Sequence, residues 1–160
     1  MGKIIFASNT CTMRFLLLSI AALLMVSCSA GLEERQLGSS SYFLKIPSDY
    51  QLISNGGEDF LLYYFAPADT SDHTKVNGGI MVGTFPAPFG PDSPDCKTAK
   101  KKGIVDGLDV EWSIYNCNGV YFMEGLTGNY GEVQIHAFGN YYKAEDEALL
   151  TEILQSLRKN

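Results

Sequence analysis

The chain has 160 residues, 46% of them hydrophobic, and a formal net charge of −6 at pH 7. That length supports one ordinary hydrophobic core, and the acidic balance excludes nucleic acid as a natural partner, because phosphates require a basic surface. Only Lys3 and Arg14, and no acid, fall within the first 28 residues, so the remainder is more acidic than the whole.

Residues 13–28 decide where the chain lives. Arg14 supplies a positive n-region, and the apolar run from Phe15 to Val26 suits a secretory h-region while being too short to span a bilayer. Met13, immediately before Arg14, is the more usual start for such a segment. Leu24-Met25-Val26-Ser27-Cys28 then resembles the bacterial lipobox, in which an aliphatic and two small residues precede the cysteine at the cleavage point. Met25 where leucine is usual, and Val26 where a smaller residue is commoner, depart mildly from that pattern. The resemblance implies a signal peptide over 1–27 and a mature chain beginning at Cys28, carrying diacylglyceryl and an N-acyl chain such as palmitate. Several chains on one residue hold firmly, because each buried methylene contributes roughly 0.8 kcal/mol. Ser29 rather than Asp after the cysteine implies an outer membrane, facing the periplasm. The alternative is ordinary cleavage after Ala30.

With Cys11 inside the signal and Cys28 assigned to lipid, Cys96 and Cys117 remain. An even pair outside the cytoplasm is most simply a disulfide, closing a loop of roughly 20 residues and stabilising by about 3 kcal/mol on the chain-entropy model. A redox or metal pair is the rival. The spacing is not Cys-x-x-Cys, and His73 and His136 lie far apart in sequence.

Residues 28–41 are polar and read as a lipidated tether, leaving 42–160 as a single domain. Strand composition over 42–46 stops at Pro47, a short extended piece covers 50–53, and Asn55-Gly56-Gly57 turns the chain into a second strong strand over 60–65. A polar loop over 68–77 precedes a strand over 79–85. Four prolines in residues 86–94 predict a long exposed loop. Residues 95–103 are expected to form a short helix, with Lys100, Lys101 and Lys102 at its C-terminal end. Alternation of Val110, Trp112 and Ile114 with Glu111, Ser113 and Tyr115 then predicts a strand over 109–115. Asn118-Gly119 marks a hairpin, and strands over 120–126 and 132–138 complete an antiparallel meander. A helix over 144–157 closes the chain, with Glu145, Asp146 and Glu147 in its first turn, Arg158 and Lys159 at its end, and Leu149, Leu150, Ile153, Leu154 and Leu157 on one side. The expectation is an α+β fold: an antiparallel sheet carrying a C-terminal helix and a short middle helix.

The opening strand running into proline, Phe43-Leu-Lys-Ile-Pro-Ser-Asp-Tyr50, the hairpins that follow and the final helix ending Ile153-Leu-Gln-Ser-Leu-Arg158 resemble the PsbP-like superfamily. That group includes photosystem extrinsic subunits, a Ran-binding import factor and small bacterial envelope proteins. The resemblance implies a helix-backed antiparallel sheet that binds other proteins rather than catalysing a reaction. It transfers no functional residue, and the proline loop and cysteine pair lie outside its pattern.

No catalytic, cofactor-binding or metal-binding set emerges. His136 sits on a strand, on the face opposite Val133, Ile135 and Ala137, where it is expected to be solvent-side or covered by a helix; a catalytic role would need a carboxylate or nucleophile beside it. Asp69, Asp72 and His73 lack the alternating acids and central glycine of a calcium loop. The lysine run 100–102 reads as a solvated face or a contact to anionic headgroups. Tyr63, Tyr64, Phe65, Phe85, Phe89, Tyr115, Tyr141 and Tyr142 exceed the needs of one core face, and aromatics with a polar tip favour interfaces. These features together point to a non-enzymatic, lipid-anchored envelope protein that binds a protein partner as an accessory subunit, chaperone or immunity-type protein. The alternative is a small-ligand or glycan-binding module with a pocket on the sheet face; a third reading, a hydrolase, would require His136 or His73 beside a carboxylate or hydroxyl in a cleft.

Overall fold

The computed structural model describes residues 31–56, 60–84, 86–91, 93–129 and 132–160. The signal peptide, Cys11, Cys28, the glycine turn at 57, Phe85 and the tip of the 127–131 turn lie outside the described residues.

Among the described residues, ten strands and one α-helix follow in order. Strands β1 (Leu32–Gln36) and β2 (Tyr42–Pro47) form a small sheet with the C-terminal strand β10 (Arg158–Lys159), in the order β1-β2-β10. A seven-stranded antiparallel sheet contains β3 (Tyr50–Gly56), β4 (Phe60–Pro67), β5 (Asn77–Gly83), β6 (Lys97–Val105), β7 (Leu108–Cys117), β8 (Val120–Thr127) and β9 (Gln134–Tyr141), in the spatial order β3-β4-β5-β9-β8-β7-β6. A 3-10 turn over Ala144–Asp146 leads into helix α1 (Glu147–Gln155).

The core lies between the large sheet, α1 and the small sheet. Leu150, Ile153 and Leu154 of α1, Leu44 and Ile46 of β2, and Trp112, Met123, Ala137 and Tyr141 of the large sheet are all fully buried. Burying a side chain of this size contributes about 1.5–3 kcal/mol relative to exposure, which is why the alternating apolar positions fix which face of each strand turns inward. Trp112 depends on a missing side chain. It lies directly across β8 from Gly125, where an added Cβ would come within 2.5 Å of Val110 Cγ2 and 2.8 Å of Trp112 Cε3.

Four departures from the sequence expectations have physical reasons. Residues 32–36, read as tether, form β1: Arg35 donates to the carbonyls of Tyr50 and Ser48 at 3.0 Å, and Leu37 is fully buried. The polar composition reflects an edge strand with one solvated face, so the folded unit begins at Leu32 rather than Tyr42. Residues 95–103 form no helix. Among the described residues Lys97–Val105 is edge strand β6, paired only with β7, and its lysines are the charges that discourage further strands from adding. The turn that follows explains the pairing: Asp106 and Gly107 both take positive φ, 51° and 76°, as a two-residue hairpin requires, and Asn118 and Gly119 do the same between β7 and β8. Helix α1 ends at Gln155 rather than Leu157, because Arg158 and Lys159 leave it to pair with β2. There Arg158 forks onto Glu34 with two 2.9 Å hydrogen bonds and sits 4.9 Å above the Phe43 ring. Finally, the proline segment packs on the sheet instead of standing free, for the reasons given below.

Because the chain has a single tryptophan, its packing can be followed optically. Gly125→Ala is expected to destabilise by about 1–3 kcal/mol through overpacking and to red-shift the Trp112 emission, measured by denaturant unfolding followed by fluorescence. An unchanged midpoint and spectrum would refute the tight Trp112 to Gly125 contact.

Candidate functional site

Alternation along β9 divides the large sheet into two faces. Ile135, Ala137, Gly139 and Tyr141 point toward the core, where an added Cβ on Gly139 would meet Leu150 of α1. Gln134, His136, Phe138 and Asn140 therefore point the other way. Pairing across the sheet carries this outer face from strand to strand. One row runs Ile53, Tyr64, Gly79, Phe138, Glu124, Ser113 and Lys100; a second runs Leu62, Met81, His136 and Leu126; a third runs Asn77, Asn140, Phe122, Tyr115 and Thr98. The outer face is thus aromatic and aliphatic, with one carboxylate and one imidazole near its middle.

The proline segment lies over that middle. Its prolines lack N–H groups, so they can leave the sheet without stranding donors. The two N–H groups at the segment's centre instead find Glu124. The Glu124 carboxylate accepts from Phe89 N–H at 2.8 Å and His136 Nε2 at 2.8 Å through Oε2, and from Gly90 N–H at 2.9 Å and the Tyr115 hydroxyl at 3.2 Å through Oε1. Glu124 is 2% exposed and His136 is fully buried. Burial alone would raise the Glu124 pKa, but hydrogen bonds from His136, Gly90 and Phe89 and the His136 charge outweigh it and hold the carboxyl below its ordinary value of 4.5. Nε2 of His136 is accordingly the donor, and Nδ1 is buried with no hydrogen-bond partner among the described residues. The Phe89 ring completes the cover, 4.8 Å from the His136 ring and 4.9 Å from Phe138, yet it remains 55% exposed.

Beside this latch a half-open cleft of about 640 Å³ lies between the segment and the sheet. Phe89, Tyr115 and Phe122 form its apolar wall, Tyr115 and Phe122 lying nearly parallel with centroids 6.2 Å apart. Ser93, Asn118 and Asn140 supply its polar groups. Cys117 also lines it, and its disulfide to Cys96, with Cα atoms 4.7 Å apart, joins the end of the proline segment to the end of β7. The expected bridge is therefore formed, beside the Lys97–Asn116 pair that starts the β6–β7 ladder.

The remaining sequence candidates scatter. His136 has a carboxylate beside it, as chemistry would require, but neither solvent nor a helix covers it; the proline segment does. His73 is exposed in its loop, while Asp69 and Asp72 each accept hydrogen bonds within their own turns, from Ser71 and Thr74 respectively, which hold both carboxyls below their ordinary range. Lys100 pairs with Glu111, and Lys101 reaches Glu147 of α1 at 3.1 Å. Of the surplus aromatics, Tyr63, Phe65, Tyr115 and Tyr141 are buried, and Tyr64 and Phe89 are exposed. Sequence reading passed over Glu124. Its signal was a lone acid inside an otherwise apolar strand, on the same face as a histidine in the next strand.

Since its pKa is lowered on folding, Glu124 contributes stability that is fully present above pH 4.5 and is lost as pH falls through the lower folded value. Glu124→Gln is expected to cost about 2–3 kcal/mol at neutral pH, from the loss of charge-assisted hydrogen bonds. In parallel acid titrations of chemical stability, the gap between the two proteins should be constant above pH 4.5 and narrow as pH falls below it. A gap that does not depend on pH over the acid range in which both proteins fold would refute the ionised latch. The other titratable groups facing this carboxylate are His136 and Tyr115.

No family model matches the sequence, and no curated protein matches it. Among solved structures, the chain is similar to cyanobacterial PsbP (CyanoP) from Synechocystis sp. PCC 6803, with TM-score 0.53 and 13% identity over 86% of this chain and 99% of that one. A structure from Bacteroides thetaiotaomicron VPI-5482 is similar at TM-score 0.42 and 18% identity; the match covers 75% of this chain and 45% of that one. The CyanoP likeness speaks to architecture: the domain has a PsbP-like α+β fold, an antiparallel sheet with one C-terminal helix.

Proposed function

We propose that the chain is a non-catalytic lipoprotein of the cell envelope, anchored through Cys28, whose PsbP-like domain binds a protein partner by the outer face of its large sheet. The observation that carries this reading is the state of that face. α1 and the small sheet back the inner face, whereas among the described residues the outer face is crossed by a single pinned segment, and Phe89, Ile53, Phe60 and Tyr64 are between 39% and 55% exposed. Ile53 lies directly across from Tyr64, and Phe60 shares its face at the same strand's other end. An apolar surface with aromatic members is the composition of a protein interface core.

The Glu124 site supports the absence of catalysis. Both carboxylate oxygens already receive two protein donors, and the imidazole beside them is sealed from solvent. A general base must reach a substrate proton; Glu124 and His136 border a small cleft with Pro88 and Ser113, but both carboxylate oxygens are already occupied by protein donors. The work of the pair is to hold the segment.

Two measurements test the reading. A photo-crosslinker placed at Tyr64 or Phe89 in living cells is expected to yield one discrete protein adduct, whereas the same group at Glu33 or Glu145, away from this face, yields none; absence of an adduct at both outer positions would refute the interface. Palmitate labelling should disappear in Cys28→Ala, and labelling that survives would refute the anchor.

A further inference from the structure

We propose that strand β3 is a self-association edge, on which a second copy of this chain pairs antiparallel about a two-fold axis at Ile53. The inference stands apart from the partner-binding reading and from the anchor, because it rests on the rim of the large sheet and not on its outer face.

The ladder shows which backbone groups that rim presents. Tyr50 lies opposite Pro67 and Ile53 opposite Tyr64, so Asp49 and Ala68 continue the same register, and Ala68 N–H donates to the Asp49 carbonyl at 2.8 Å. Opposed residues in an antiparallel pair alternate between exchanging hydrogen bonds and not. Gln51, Ile53 and Asn55 therefore bond to β4, and the N–H and C=O groups of Tyr50, Leu52, Ser54 and Gly56 turn outward. Arg35 gives an independent check, since its guanidinium donates to the outward Tyr50 carbonyl at 3.0 Å. Beyond that capped group, β3 pairs only with β4 among the described residues, and Ile53 to Gly56 are exposed.

The residues of this strand select the occupant. The other sheet edges carry charge: Glu33, Glu34 and Arg35 on β1, Lys97, Lys100, Lys101 and Lys102 on β6, and Arg158 and Lys159 on β10. Such charges blunt an edge. β3, Tyr-Gln-Leu-Ile-Ser-Asn-Gly, has none, and it has no proline. An isologous contact sets a strand against itself, so the lysines of β6 would repel their own copies, whereas β3 carries nothing to repel.

The outward groups also fix the register. With Ile53 on the axis, Leu52 of each copy exchanges both hydrogen bonds with Ser54 of the other, and Gln51 lies opposite Asn55. The Ile53 side chains, each 49% exposed in the single chain, then meet in a non-hydrogen-bonded pair, where side chains approach most closely. Tyr64, opposite Ile53 on β4 and 39% exposed, flanks the pair on either side. Antiparallel pairing also carries the two Gly56 ends, each followed in sequence by Glu58 and Asp59, to opposite ends of the contact.

Cysteine crosslinking of the full chain in the cells that produce it, with the unsubstituted chain as background, tests the proposal. Opposed Ile53 positions would have Cα atoms about 4.5 Å apart, within the roughly 4.4–6.8 Å that a disulfide spans. Ile53→Cys is therefore expected to give a linked dimer on a non-reducing gel. Asn55→Cys alone, displaced by several residues from its own copy, gives none, but links when coexpressed with Gln51→Cys. Sedimentation of the purified full chain in density-matched detergent needs no new thiol. Ser54→Pro removes an outward N–H without breaking the β4 ladder and should weaken self-association about tenfold or more, because each dimer loses two hydrogen bonds. Where that variant does not unfold cooperatively, Ile53→Lys serves, and mixing it with Ile53→Glu is expected to restore the dimer. Failure of Ile53→Cys to link, equal linking by Asn55→Cys alone, or linking only to a different protein would overturn the proposal. A full chain that sediments as a monomer at every concentration reached would also overturn it.

Discussion

One carboxylate organises the outer half of this domain. A buried ion in the middle of a sheet face is costly unless every lone pair is occupied, and Glu124 meets that condition by recruiting a histidine, a tyrosine and two main-chain N–H groups. The last two belong to a segment that no ladder could hold, because proline removes the donors that pairing needs. Charge and backbone therefore solve one another's problem. The carboxylate gains donors it requires, and a non-repetitive stretch gains a fixed path across the sheet. The Phe89 cover and the cleft lined by Phe89, Tyr115 and Phe122 follow from that path.

The inner half obeys simpler rules. Apolar residues at alternate strand positions meet the buried stripe of α1, and Trp112 finds room because the opposite strand offers Gly125. The contrast between the faces is a contrast in what orders them. Area removed from water specifies the inner packing with little directional demand, whereas the outer arrangement rests on a few directional hydrogen bonds to one carboxylate. A sheet with its two faces stabilised by such different means can vary one without disturbing the other.

Local signals were the readable ones. Asn118-Gly119 announced its hairpin, the alternation over 109–115 announced a half-buried strand, and the leucine spacing announced α1, since each depends on neighbours within a few residues. The failures share the opposite property. Lys97–Val105 carries three consecutive lysines and becomes a strand only because β7 lies beside it and the Asp106-Gly107 turn delivers it there. Leu32–Gln36 is polar and becomes a strand because β2 offers a free edge. The site itself was out of reach, because Glu124 and His136 meet across two strands and their loop partner comes from more than thirty residues upstream. Only the cysteine pair was visible in advance, through parity and compartment rather than through geometry.

The small sheet has a temporal meaning. β2 is flanked by β1 on one side and by the final strand on the other, and Arg158 completes a fork to Glu34 that spans 124 residues of chain. A polypeptide made from its N-terminus can assemble the β3–β4 and β7–β8 hairpins as they emerge, but one edge of β2 waits for Arg158 and Lys159. Closure of such distant contacts is slow compared with local pairing. Until it happens, β2 offers an open edge on which a strand from another molecule can pair.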